Sequence, residues 1–202
     1  MLRTFVARDG AWRLPVKLDQ VDARYLRLLL AWEDQRFRDH PGVDPVAMLR
    51  AVYQMAAKAR VVSGASTITM QVARLMEPRE RTLSAKFLQA TRALQLDWHQ
   101  NKDEILELYL NEIFLGLNSY GIAAASLNYF GKSLNELSLD EMAYLAALPK
   151  GPNNYHPFKH KDRAIERRNW VLLQMLENDY ITQAEHDDAT KKPLVVNPRP
   201  FG

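Results

Sequence analysis

Cysteine is absent from this 202-residue chain, which excludes disulfides, thiolate zinc sites and cysteine nucleophiles together. Glycine is scarce, at eight residues, so neither a collagen repeat nor a glycine-rich low-complexity segment is present. There is no apolar run of the roughly eighteen residues that a membrane-spanning helix needs. Residues 1–10 also lack the apolar core of a secretory signal. An excess of one charge sign is missing too. The 27 basic and 24 acidic residues leave +3, too mild to argue for nucleic acid. The chain is expected to be soluble or peripheral, with any membrane anchor lying outside this sequence.

What is present is an ordinary globular balance, 47% hydrophobic and 25% charged, which excludes disorder and suffices for one domain with a small lobe. Thr4 to Arg8 and Ala11 to Val16 flank Asp9-Gly10, a turn signal that predicts a β-hairpin. Thereafter the pattern is helical. Tyr25, Leu28, Leu29 and Trp32 form one stripe, with Leu26, Leu30, Glu33 and Phe37 beside it. Asp44 before Pro45 predicts a helix running toward Arg60. Ser66 or Thr67 caps the next, through about Leu75. Further helices are expected over 80–100, 101–115, 122–129, 138–148 and 162–178, with a short last one after Thr182. The tail from Lys191 onward is extended and proline-rich, which reads as a linker. The fold class is mainly α, irregular rather than a bundle.

Three features could carry chemistry. Glu33 lies four residues after Leu29 and four before Phe37, so its carboxylate projects from an apolar helical side. Desolvation there makes a carboxylate more basic and fit for proton abstraction; an ion pair with Arg36 is the plainer alternative. The second feature is a basic window. From Lys58 to Arg92 there are seven basic residues against two acidic, a local +5 that leaves −2 for the remainder. Within it, Gly64 to Gln71 forms a hydroxyl-rich turn entering a helix, a natural phosphate site, with a simple Ser/Thr cap as the bland reading. Third, the apolar stretch from Val46 to Val62 reads first as a core helix and second as a membrane-interface helix. Other motifs fail. Gly116 to Gly121 has phosphate-loop spacing, but Ile122 follows where lysine is needed. His156 and His160 are separated by Pro157, which argues against a helical metal pair.

Together these segments resemble a known family. Glu33 to Gly42, Glu-Asp-Gln-Arg-Phe-Arg-Asp-His-Pro-Gly, is similar to the ED-x-x-F-x-x-H-x-G motif of the peptidoglycan glycosyltransferases, glycosyltransferase family 51. Gly64 to Arg74 is similar to that family's G-x-S-T-[IL]-T-x-Q-x-x-[RK]. Leu106 to Glu112 with Gly121 to Ala125 and Tyr129 to Lys132 resembles its fourth motif, and Glu141 to Pro149 with Pro152 to Tyr155 its fifth. The order and spread from Glu33 to Tyr155 make the match specific. Within the family, the opening Gly10 to Val16, His40-Pro41-Gly42 and Met70 to Leu75 resemble the 1C type of class A penicillin-binding proteins.

The resemblance implies a lysozyme-like large helical lobe and a smaller apolar, membrane-facing lobe at about 45–78. It places a glycosyltransferase domain at 1–190, followed by a proline-rich linker, 191–202, to an absent domain. It implies polymerisation of lipid II into β-1,4-linked glycan strands with release of undecaprenyl diphosphate, and Glu33 as general base. Ser66, Gln71, Arg74, Arg81, Lys86 and Gln89 then match substrate-binding positions, with the basic window meeting the diphosphate. The implied partners are lipid II, the growing strand, the membrane surface and a transpeptidase domain, with no nucleic acid. The implied place is the periplasmic face of the bacterial inner membrane.

The third motif departs from the family's Arg-Lys-x-x-Glu, reading Ala85-Lys86-Phe87-Leu88-Gln89. Gln89 cannot balance a cation or hold a metal as a carboxylate does. A divalent cation such as magnesium is the one cofactor the resemblance brings, with no protein metal site and no organic cofactor. The departure predicts lesser dependence on that ion and greater dependence on Arg81 and Lys86. It also keeps two other classes in view: a non-catalytic lipid II or partner-binding module, and a lysozyme-like glycan hydrolase. The hydrolase would want a second carboxylate and has no need of a basic diphosphate window.

Overall fold

The computed structural model describes residues 5–6, 11–58, 66–78, 80 and 82–198. Most of these are helical, and the helices start where short polar side chains can take up unpaired backbone N–H groups. Helix α1 (Ala23–Glu33) follows Asp22, whose Oδ1 accepts the Arg24 N–H at 2.7 Å. Helix α2 (Pro45–Lys58) opens on Asp44 as expected, its Oδ1 accepting from Val46 N–H at 3.0 Å and Ala47 N–H at 3.1 Å. Thr67, not Ser66, caps α3 (Ile68–Met76) by accepting the Met70 N–H at 3.0 Å. Thr82 caps α4 (Leu83–His99), which is why that helix starts at Leu83 rather than Glu80. Asn101 and Glu104 exchange two capping bonds of 2.9 Å at the start of α5 (Lys102–Glu112). The remaining helices are α6 (Ile122–Phe130), α7 (Leu139–Ala147), α8 (Lys161–Glu177) and α9 (Gln183–Lys191). The expected Ser138–Glu141 and Thr182–Glu185 capping boxes open α7 and α9.

Helix α5 stops at Glu112, short of Leu115. Gly116 has φ +84°, and Leu117 and Asn118 follow at +47° and +56°. Three such residues turn the chain back on itself, so Phe114 bridges to Tyr120 and a strand, β3 (Ser119–Tyr120), forms. This strand runs parallel beside β2 (Trp12–Arg13), which pairs antiparallel with β1 (Phe5–Val6). The Asp9-Gly10 turn expected between β1 and β2 lies outside the described residues. The third strand, which comes from a distant stretch of chain, carried no local signal.

The chain divides into two compact units, one of Met1–Leu28 with Leu110–Gly202 and one of Leu29–Tyr109. In the first unit α8 packs on α7 and α9, and α6 packs on the sheet and on α7. Tyr129 and Tyr144, ring centroids 5.7 Å apart, sit at its centre with their hydroxyls donating to Leu115 O and Tyr155 O. Burial pushes both phenols above their ordinary pKa. Arg168 is fully buried and donates to Lys192 O at 2.9 Å, closing the end of α9. The segment after α9 is extended as expected, with Leu194 and Val196 buried and the Asn197 N–H donating to Tyr129 O.

In the second unit α3 packs against α4. Its core includes Phe37, Ile68, Val72, Ala93, Ile105 and Tyr109. The core-helix reading of the stretch from Val46 is corrected. Val46, Met48, Leu49, Val52 and Tyr53 on α2 are all exposed. Among the described residues no helix is long and apolar enough to cross a membrane.

Candidate active site

Glu33 is the last residue of α1. The Asp34 N–H still bonds Leu30 O, but the chain then leaves the helix in successive turns, Phe37 N–H to Asp34 O at 3.0 Å and Asp39 N–H to Arg36 O at 2.9 Å. Glu33 and Phe37 therefore do not share a helical face. Phe37 is buried all the same, through a turn.

The cause is the Asp34 carboxylate. His40 Nε2 donates to it, 2.9 Å from Oδ1 and 3.0 Å from Oδ2, and the Ile68 N–H donates to Oδ2 at 3.0 Å. Both side chains are buried. Drawing His40 back to Asp34 curls residues 34–40 into turns, and the bond to Ile68 ties them to the first residue of α3. Three contacts reinforce the tie. Thr67 Oγ1 donates to Gly42 O at 2.6 Å. Lys102 Nζ donates to His40 O at 2.6 Å while pairing with Asp97. Gly42 has φ +79°, and a Cβ there would lie 2.5 Å from Ala93 O, so only glycine permits this approach to α4.

The start of α3 is thereby delivered to the end of α1. Gln71 Nε2 donates to Glu33 Oε2 at 3.3 Å. Glu33 is half-buried and faces a pocket of about 150 Å³ whose walls include Arg36, Asp44, Arg50, Ser66 and Thr67. Arg36 Nη1 lies 3.3 Å from Asp44 Oδ1. Burial alone would raise the Asp44 pKa, but the Ala47 N–H, the Arg36 guanidinium and the Val46 N–H outweigh it and hold it below the ordinary carboxylate value. The site thus combines a carboxylate steered by an amide, a second carboxylate on Asp44 paired with the Arg36 guanidinium, the Arg50 guanidinium and two hydroxyl side chains. Such a set can accept a proton beside a bound anion.

A transglycosylase family model matches residues 1–176. The chain belongs to the transglycosylase family. Penicillin-binding protein 1A of Haemophilus influenzae is 48% identical over 186 residues, covering 92% of this chain and 22% of that protein. Penicillin-binding protein 1C of Escherichia coli is 44% identical over 195 residues, covering 96% and 25%. The crystal structure of the Haemophilus influenzae 1A protein aligns with a TM-score of 0.54 at 33% identity, over 96% of this chain and 20% of that one. This transglycosylase domain therefore spans about a quarter or less of the relatives it matches, and both 1A and 1C proteins are among them.

Of the residues expected in the transglycosylase site, Glu33 and Gln71 are hydrogen-bonded, and Ser66 lines the same pocket. Arg74 is exposed one turn beyond Gln71, Lys86 is exposed in the first turns of α4, and Gln89 is half-buried one turn further. None of these three lines the Glu33 pocket. Arg81 lies outside the described residues. Arg36 was expected only as an ion-pair partner of Glu33 and Asp44 only as a helix cap, and Arg50 was not anticipated, although Val46, Ala47 and Arg50 share one face by helical spacing. Among the described residues no three His, Asp or Glu side chains converge where a metal could sit. At position 89 an amide stands where a carboxylate could have faced a cation.

Proposed function

We propose that this domain polymerises lipid II into β-1,4-linked glycan strands, with Glu33 as general base. The observation that carries the reading is the Glu33 carboxylate, held by Gln71 in a pocket that also presents Arg36 and Arg50. The 4-hydroxyl oxygen of an acceptor disaccharide attacks C1 of the donor and its proton passes to Glu33. The C1–O bond to the diphosphate breaks, its electron pair leaving with undecaprenyl diphosphate, and C1 inverts. Gln71 fixes the direction of the accepting carboxylate, as a base within hydrogen-bond reach requires. Arginine and lysine neutralise the charge that grows on the departing diphosphate. The test is glycan-strand formation from labelled lipid II in detergent. Binding of lipid II with no strand would favour a non-catalytic module instead.

The same reading makes the helical part lysozyme-like and gives α2 to a smaller, membrane-facing lobe, supported by its five exposed large apolar side chains. It puts the domain at the periplasmic face of the inner membrane, in a longer 1C-type protein with a transpeptidase domain, supported by the length of the relatives.

Two expectations concern α4. Lys86→Ala should raise the donor KM about tenfold, the worth of one charge-assisted contact to an anion. Because Lys86 is exposed, the gap from wild type should narrow as salt rises. An unchanged KM would remove Lys86 from the diphosphate. The neutral amide of Gln89 supports a domain that relies on Arg81 and Lys86 more than on a divalent ion. Strand formation should therefore survive chelation, whereas Gln89→Glu should become sensitive to it, rescued by magnesium. Full loss in the wild type on chelation would overturn this.

A further inference from the structure

Helix α4 buries Ala85 and Ala93 and half-buries Leu88 and Leu96, yet it turns four large apolar side chains outward. Ala93 lies in a cluster with Val43 and Met70. Leu83, Phe87, Leu94 and Trp98 are 89%, 76%, 46% and 87% exposed. At the helical repeat these four fall within an arc of roughly 60°, in a file roughly 22 Å long. Folding alone gives no reason to expose these four side chains, and large exposed apolar files mark binding surfaces.

Charge distinguishes the two ends of the file. Its beginning coincides with the positive end of the α4 dipole, and Lys86, exposed, lies on the edge of the file between Leu83 and Phe87. From Leu83 to Trp98 the only other basic residue is Arg92, which is paired with Glu77 of the chain just after α3. A helix lying on an anionic bilayer repeats its cations along its length. Here one cation stands at one end of a narrow apolar track. That arrangement complements an amphiphile with an anionic head and a long linear hydrocarbon tail.

We propose that this file receives the polyprenyl tail of the donor, with the diphosphate at Lys86 and the tail passing Leu83 and Phe87 toward Leu94 and Trp98. The proposal rests on lipid II being the substrate. It assigns α4 two tasks: its first turns meet the head, and the rest of its outer face guides the tail and keeps it out of the site.

The experiment compares undecaprenyl and farnesyl-length lipid II in detergent, for wild type and for Leu94→Ser/Trp98→Ser. Wild type should prefer the long tail. The double variant, whose changes are on the surface, should lose about tenfold of that preference through KM, the worth of the apolar contact removed. An unchanged preference, or equal losses on both tails, would overturn the proposal. So would loss of binding to phosphatidylglycerol vesicles lacking lipid II with the tail preference intact, since the file would then serve the bilayer. Should wild type turn over neither substrate, the polymerase reading fails. Binding of undecaprenyl and farnesyl diphosphates, without sugars, then reads the file separately, with the same tenfold change in their affinity ratio expected and an unchanged ratio overturning it.

Discussion

Glu33→Gln is expected to lower strand formation by about 10²- to 10⁴-fold, the usual contribution of a positioned general base. The substitution keeps the shape and one hydrogen-bond acceptor, so Gln71 Nε2, now 3.3 Å from Glu33 Oε2, still has an oxygen to meet. What is lost is the capacity to take a proton from the acceptor hydroxyl. Thermal unfolding and lipid II binding should therefore stay near wild type, with the loss falling on kcat. A loss carried mainly by KM would make Glu33 a binding group. Retained turnover would move the base elsewhere in the site.

Much of the helical fold was legible in the sequence, and what was not has a physical cause. Helix starts at Asp44, Thr67, Asn101, Ser138 and Thr182 were readable because a cap is a local matter of one short side chain and N–H groups two or three residues on. The end of α1 was not. An apolar stripe that includes Phe37 looks helical, and only the distant bonds from Asp34 to His40 and Ile68 show that the segment turns instead. Strand β3 escaped for a similar reason, since its partner β2 lies about a hundred residues earlier in the chain. The position of Glu33 was recognised, yet its expected apolar surroundings proved to be a polar pocket with Arg36 and Arg50. Periodicity marks which residues share a helix face. It does not tell which other element that face meets, so α2 passed for a core helix although its large apolar residues are exposed.

Asp34→Ala is expected to cost about 2–5 kcal/mol of stability, the sum for leaving two buried donors unmet. The change strands the His40 Nε2–H and the Ile68 N–H, both in buried surroundings, and an unmet buried donor is costlier than a lost bond at the surface. Activity should fall as well. Asp34 follows Glu33 and grips the first residue of the helix that carries Gln71, so its loss frees the two partners to separate. A displacement of about 1 Å at a catalytic group can cost on the order of a hundredfold. Urea unfolding gives the first quantity and kcat of the surviving folded fraction the second. His40→Ala should produce a smaller stability loss, because the Ile68 N–H keeps its acceptor. In the double variant the two losses should be less than additive by more than about 1 kcal/mol, as expected for residues that share a bond. Additive losses would mean that the pair is not the tie, and the turns after Glu33 would then owe their shape to Gly42, Lys102 and Thr67 instead.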